Sequence, residues 1–144
     1  MLLHTIGASG KSLRRFAGLL RGAGVDAVVD VRLRNTSQLA GWSKRDDLAY
    51  ALELLGVEYD HRPDLGPSDR LLDAFQRGLT FEEYAPAYRA LIAERGVLPE
   101  ALARLGRHQR PAVLCACPTP DRCHRRLLAE ALVDLDPGLQ VRHL

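Results

Sequence analysis

The sequence has little lysine, little aromatic character and no long apolar run, and each shortage excludes something. Only two lysines stand beside eighteen arginines, and aromatic residues make up 6% of the 144 positions. No apolar stretch approaches the roughly 20 residues that cross a bilayer, so no membrane partner is expected. The opening MLLHTIGASGK has no basic region ahead of an apolar one, which argues against a secretory leader and for a cytoplasmic location. There are three cysteines, and two of them are one residue apart. An odd, crowded set does not suit a secreted disulfide framework, so reduced thiols are expected. The net charge of +2 does not by itself imply nucleic-acid or membrane affinity. The arginine excess suggests phosphate recognition, but a chain equally heavy in Ala, Leu and Gly explains it as compositional bias. With 47% hydrophobic and 26% charged residues, the chain reads as one ordinary globular domain spanning 1–144.

Apolar runs alternate with helical periodicity along the chain. LLHTIG (2–7), DAVVDVR (26–32), VEYDH (57–61), PAVLCAC (111–117) and QVRHL (140–144) read as strands. DAVVDVR and PAVLCAC are nearly continuous in apolar character, as strands buried on both faces are. A helix follows the first strand, with Leu13, Phe16, Leu19, Leu20 and Ala23 on one face. Ser9 or Ser12 is its cap, and Gly22 and Gly24 are its stop. Ser43 with Asp46 predicts a capped second helix whose inner face is Leu48, Ala51, Leu52 and Leu55. Residues 71–106 read as helical, with a capping box at Thr80 and Glu83 and a kink at Pro86. RCHRRLLAEALVDL, 122–135, is the last helix. The expected fold is therefore α/β, a mostly parallel sheet of about five strands with helices on both faces. Ligands of such sheets bind beyond the carboxyl ends of the strands. That places four loops on one edge: Gly7–Ser9, Asp30–Arg34, Asp64–Ser68 and Cys115–Arg125.

The densest chemistry lies in VLCACPTPDRCHRRLLAEAL, residues 113–132, which gathers three thiols, an imidazole and three guanidiniums at a strand-to-helix turn. Strand alternation puts Cys115 and Cys117 on one face, with Cys117 at the loop mouth and alone reachable. With Thr119 as N-cap and Pro120 as first helical residue, free amides would point toward Cys117. Those amides and Arg122 would lower its pKa and make it a nucleophile, and the same geometry accepts an oxyanion. His124 shares a helix face with Leu127, Leu128 and Ala131, so its ring turns inward as a base or orienter. The plainer alternative makes Cys115 a small core residue, Cys117 and Cys123 inert, and His124 a satisfied structural group. Zinc suits the spacing poorly, because two thiols lie on a strand and the other candidates begin a helix; no metal or cofactor is called for. In DVR, Asp30 and Arg32 lie two apart and share a face. They form either an ion pair that fixes the strand end or an arginine offered to an anion. Arg34 and Ser37 extend this element by adjacency.

Taken together, TIGASG at 5–10, VVDVR at 28–32, DLGP at 64–67, VLCACPTPDRCHRRLLAEAL at 113–132 and the terminal VRHL resemble the bacterial and archaeal domain of unknown function 488 family. The family usually has histidine where this chain has Ala8, and often glutamate where it has Cys117. Gly7, Ser9, Asp30, Arg32, Gly66, Cys115, Cys123, His124 and Arg125 match it. The resemblance implies an α/β fold and a polar, anion-accepting pocket, and it carries no established reaction. Cys117 to Arg122, a cysteine, four residues and an arginine between strand and helix, also resembles the active loop of rhodanese-like sulfurtransferases. Pro118 and Pro120 each remove an amide from such a cradle.

Two function classes follow from these residues. In the first, the chain is a small enzyme that binds an anionic or polar small molecule at the strand ends. Arg32 and Arg125 grip it, and Cys117 or Cys123 acts with His124. In the second, it is a noncatalytic nucleotide or nucleic-acid binding module that uses the same arginines with Arg14, Arg15 and Arg21. A protein-interaction role would rest on Trp42 as an exposed anchor.

Overall fold

A computed structural model describes residues 1–36 and 41–144; Ser37 lies outside the described residues. Its strands are β1 (Leu2–Gly7), β2 (Ala27–Asp30), β3 (Glu58–His61), β4 (Pro111–Cys115) and β5 (Gln140–His143). The helices are α1 (Leu13–Ala23), α2 (Arg45–Leu54), α3 (Asp69–Gln76), α4 (Phe81–Arg95), α5 (Leu98–Leu105) and α6 (His124–Leu135). Every strand pair is parallel, in the order β3-β2-β4-β1-β5. β4 is buried at every residue, while the edge strands β3 and β5 stay largely exposed. This is why the central runs are continuously apolar and VEYDH is not.

Two clusters sandwich the sheet. Phe16 and Leu20 of α1 and Leu48 and Leu52 of α2 pack with Ile6, Val28 and Leu114 on one face. Tyr84, Tyr88 and Ile92 of α4, Ala101 of α5 and Leu127, Leu128 and Leu132 of α6 pack with Leu3, Val113 and Cys115 on the other. Helices therefore cover both faces. The chain leaves β2 for β3 toward one edge and leaves β4 for β5 toward the other. Neighbouring loops part above the β2/β4 pair, which is where open parallel sheets form a ligand crevice.

Local signals set several boundaries. Ser12 accepts from the Arg15 amide at 3.1 Å and caps α1, and Gly24 ends it in the left-handed region at φ 66°. Thr80 accepts from the Glu83 amide and bonds its carboxylate at 2.9 Å, the expected box at the start of α4. Three expectations need correction. The helical stretch 71–106 is three helices, broken at Gly78 and Gly96, whose φ values of 116° and 65° no side-chain-bearing residue readily adopts. The helix α2 has Lys44 rather than Ser43 at its cap. Ser43 is buried in a short 3-10 turn, and the carbonyl of Asn35 takes the Arg45 amide at 2.8 Å instead. Trp42 is no exposed anchor. Its ring lies 4.7 Å from that of Phe16, and its indole donates to the Lys11 carbonyl.

Candidate functional site

At the end of β2 the chain must hold a charge in the core. Asp30 and Arg32 are both buried, with the guanidinium Nε and NH2 donating to the two carboxylate oxygens at 2.8 and 2.7 Å. Tyr59 and Asn35 also donate to Oδ2, and the Arg32 amide donates to Oδ1. Burial alone pushes the Asp30 carboxyl up, but the hydrogen bonds and charge of Arg32, with Tyr59 and Asn35, outweigh it and hold the group below the usual carboxylate range. Asp30 has its oxygens saturated by protein and serves to aim Arg32. The NH1 of Arg32 is buried without a hydrogen-bond partner among the described residues. His61 Nε2 bonds the Arg32 carbonyl at 2.9 Å, which pins the backbone as well.

At the end of β4, the loop from Ala116 to Cys123 folds back so that three sulfurs meet. The Sγ atoms of Cys115, Cys117 and Cys123 lie within 4.8 Å of one another, those of Cys115 and Cys123 at 2.6 Å. Cys115 and Cys123 are buried and Cys117 is half-buried, as expected of the reachable thiol. The expected cap at Thr119 and Pro120 is absent, because α6 begins only at His124, after Cys123. Helix amides are thus not the source of activation. Instead hydrogen bonding from the Cys115 and Cys123 thiols, with the Arg125 charge, lowers the Cys117 pKa despite burial. Burial raises Cys115, and hydrogen bonding to its two neighbours, with burial, raises Cys123.

Arg125, expected to grip the ligand with Arg32, is instead the largest wholly buried side chain and is not among the cavity's lining residues. Its NH1 donates to Cys115 Sγ at 3.1 Å and to the Cys117 carbonyl at 2.8 Å, while Nε and NH2 have no hydrogen-bond partner among the described residues. Among the described residues no carboxylate pairs with this charge, and the sulfur of Cys115 does. Gly7 lies directly beneath. A Cβ there would come within 1.7 Å of the Cys117 carbonyl and 2.5 Å of Arg125 NH1. Its role is close approach, as is that of Gly66, where a Cβ would meet the Val31 carbonyl at 2.8 Å.

A cavity of about 550 Å3 joins the two strand ends. Arg32, Arg34 and Thr36 line it from the loop after β2, and Ala116, Cys117, Arg122, Cys123 and His124 from the loop after β4. Pro67 and the apolar side chains Leu72, Phe75 and Tyr84 close it. Three arginines and no carboxylate are among the described lining residues; Arg34 also bridges Asp69 and Asp73 at the rim. His124 donates through Nε2 to the Val31 carbonyl, 2.8 Å away, and its ring lies 5.5 Å from that of Tyr88, tying the two loops together.

The structure therefore brings Arg32, Cys117, Arg122, Cys123 and His124 to one hollow. Gly7, Asp30, Gly66, Cys115 and Arg125 support it from behind. Ser9 is exposed beside the cavity loop, its amide on the Ala116 carbonyl at 2.9 Å. Leu72, Phe75 and Tyr84 were missed as walls. The available signal was the apolar side of α3, which has no fully buried residue. Arg14, Arg15 and Arg21 are exposed on α1, across the sheet from the cavity's apolar wall. The three sulfurs could also sit around a soft metal ion, closer together than their strand and helix positions in sequence suggest. No curated protein and no solved structure matches the chain. The model of one family, described as domain of unknown function DUF488, matches residues 12–132, and the chain belongs to that family.

Proposed function

We propose that this protein is a small thiol enzyme acting on an anionic, partly apolar molecule bound above the β2/β4 strand ends. The observation that carries the reading is the shared cavity: the half-buried Cys117 sulfur faces the same hollow as Arg32 and Arg122. Arg32 has a spare NH1 for an anion, and the exposed Arg122 adds positive charge at the mouth. Leu72, Phe75 and Tyr84 take up the apolar part of the ligand. Cys117 is the nucleophile, its charge maintained by the neighbouring thiols and Arg125. His124, fixed by the Val31 carbonyl, orients the loop and leaves Nδ1 for proton transfer.

Carboxymethylation tests this reading. An ordinary thiol reacts more slowly with anionic iodoacetate than with neutral iodoacetamide, and its rate climbs about tenfold per pH unit below a pKa near 8.5. Cys117 is expected to favour iodoacetate, with a rate almost flat between neutral and alkaline pH, and Arg122→Ala is expected to remove the preference. An ordinary preference for iodoacetamide with a steep pH profile would refute both the anion pocket and the nucleophile.

A further inference from the structure

The nucleophile reading uses the two buried thiols only as neighbours that hold charge on Cys117. Cys115 and Cys123 have no solvent access to speak of, at 0% and 1% exposure, yet their sulfurs approach to 2.6 Å with Cys117 close to both. Nucleophilic transfer of an acyl or alkyl group needs their hydrogen bonds to Cys117 but not their close approach to each other. A tetrahedral metal ion with sulfurs about 2.3 Å away would hold them roughly 3.8 Å apart. The observed approach is shorter and suits direct sulfur-to-sulfur bonding.

Resting on the thiolate role of Cys117, we infer that Cys115 and Cys123 are an internal dithiol that supplies an electron pair through Cys117, so that the site reduces small anionic disulfides. The balance is as follows. The Cys117 thiolate attacks one sulfur of the bound disulfide, forming a Cys117 mixed disulfide and releasing the first substrate thiolate, which takes the Cys123 thiol proton. The Cys123 sulfur then attacks Cys117 Sγ, forming a Cys117–Cys123 bond and releasing the second substrate thiolate, which takes the Cys115 proton. Cys115 finally attacks Cys123 Sγ, leaving a buried Cys115–Cys123 disulfide and restoring the Cys117 thiolate. The substrate gains two electrons and two protons, and the protein loses them. A soluble thiol reductant returns the pair to the protein.

Arg125 explains why the relay ends on the buried pair. Its guanidinium is fully enclosed, without a carboxylate partner among the described residues, and needs one anionic sulfur nearby. A final Cys115–Cys123 bond leaves Cys117 as that anion, so the buried charge is matched in both the reduced and the oxidised protein. A bond from Cys117 to either partner consumes the favoured thiolate.

The test uses the reduced full chain and dithiobis(nitrobenzoate), an anionic aromatic disulfide that releases a coloured thiolate. Two coloured equivalents per chain, a mass lower by two hydrogens with no adduct, and a mapped Cys115–Cys123 bond are expected. One equivalent with a stable adduct on Cys117, or separate adducts on all three cysteines, would overturn the relay. Thiols that become reactive only after chelation would mean a metal holds them, and would overturn it too. Cys123→Ser is expected to release one equivalent and keep the adduct on Cys117. If that variant does not fold, the wild-type stoichiometry and mapped bond decide. A wild-type chain that prefers iodoacetate but retains the adduct loses the relay alone; one with no iodoacetate preference loses the nucleophile reading as well.

Discussion

At the scale of single residues, the site is organised by two buried guanidiniums with opposite solutions to one problem. Arg32 is matched by a carboxylate whose oxygens accept from three side chains, and its NH1 has no hydrogen-bond partner among the described residues. Arg125 is matched by sulfur. Asp30→Asn removes the charge facing Arg32 and is expected to cost about 3–5 kcal/mol, because it leaves a buried cation unmatched; denaturant unfolding measures it. The sign of the pH effect follows from the lowered pKa of Asp30. A group depressed on folding contributes fully above its unfolded value, about 3.9, and loses that contribution as pH falls through its folded value. Acid unfolding of the wild type is therefore expected to steepen below about pH 4, and the Asn variant to lack that component.

At the scale of elements, strand ends and helix starts are set by what must meet at the crevice. Gly7 ends β1 where the Cys117 carbonyl and Arg125 leave no room for a Cβ. Gly7→Ala is expected to destabilise by about 3 kcal/mol or more through overpacking and to slow Cys117 alkylation, since the loop carrying that sulfur must shift. A rate identical to wild type would show that the contact does not position the thiol. Thr80 works differently, as a cap far from the chemistry. Thr80→Ala is expected to cost about 1 kcal/mol and leave the alkylation rate unchanged, which thermal unfolding and the same rate assay check together. Helical periodicity from Arg122 comes within two residues of the observed start of α6 at His124, whereas the Thr and Pro signals favour Thr119 and Pro120. Burial of Cys123 and Arg125 outweighs them, and a buried side chain is worth more than a cap.

At the scale of the whole molecule, stability is unevenly distributed. The fully buried β4 lies mid-sheet, while α3, which supplies Leu72 and Phe75 to the cavity wall, has no fully buried residue. Its amides are expected to exchange with solvent well ahead of those of β4 and of α6, which buries five residues. An anionic ligand seated against Phe75 is expected to slow that exchange. Equal protection across α3 and β4 would contradict the uneven packing. A wall that opens locally suits a cavity closed on several sides.

Much of the architecture was legible because periodicity and burial are local properties of a chain. VVDVR and PAVLC are apolar without interruption, and such runs have no stable place except between two layers of helix. Those runs, their order, and the glycines and capping residues at Ser12, Gly24 and Thr80 determine an α/β chain with ionisable side chains gathered at the strand ends. What the linear order does not contain is which charge answers which. Arg32 and Arg125 look equivalent as arginines following buried strands, yet one faces the cavity and the other lies sealed behind the sulfurs. That choice depends on side chains from segments far apart in sequence, Tyr59 and Asn35 for one and Cys115 and Cys117 for the other. Electrostatic pairing acts through space and is settled only once the sheet has brought those segments together.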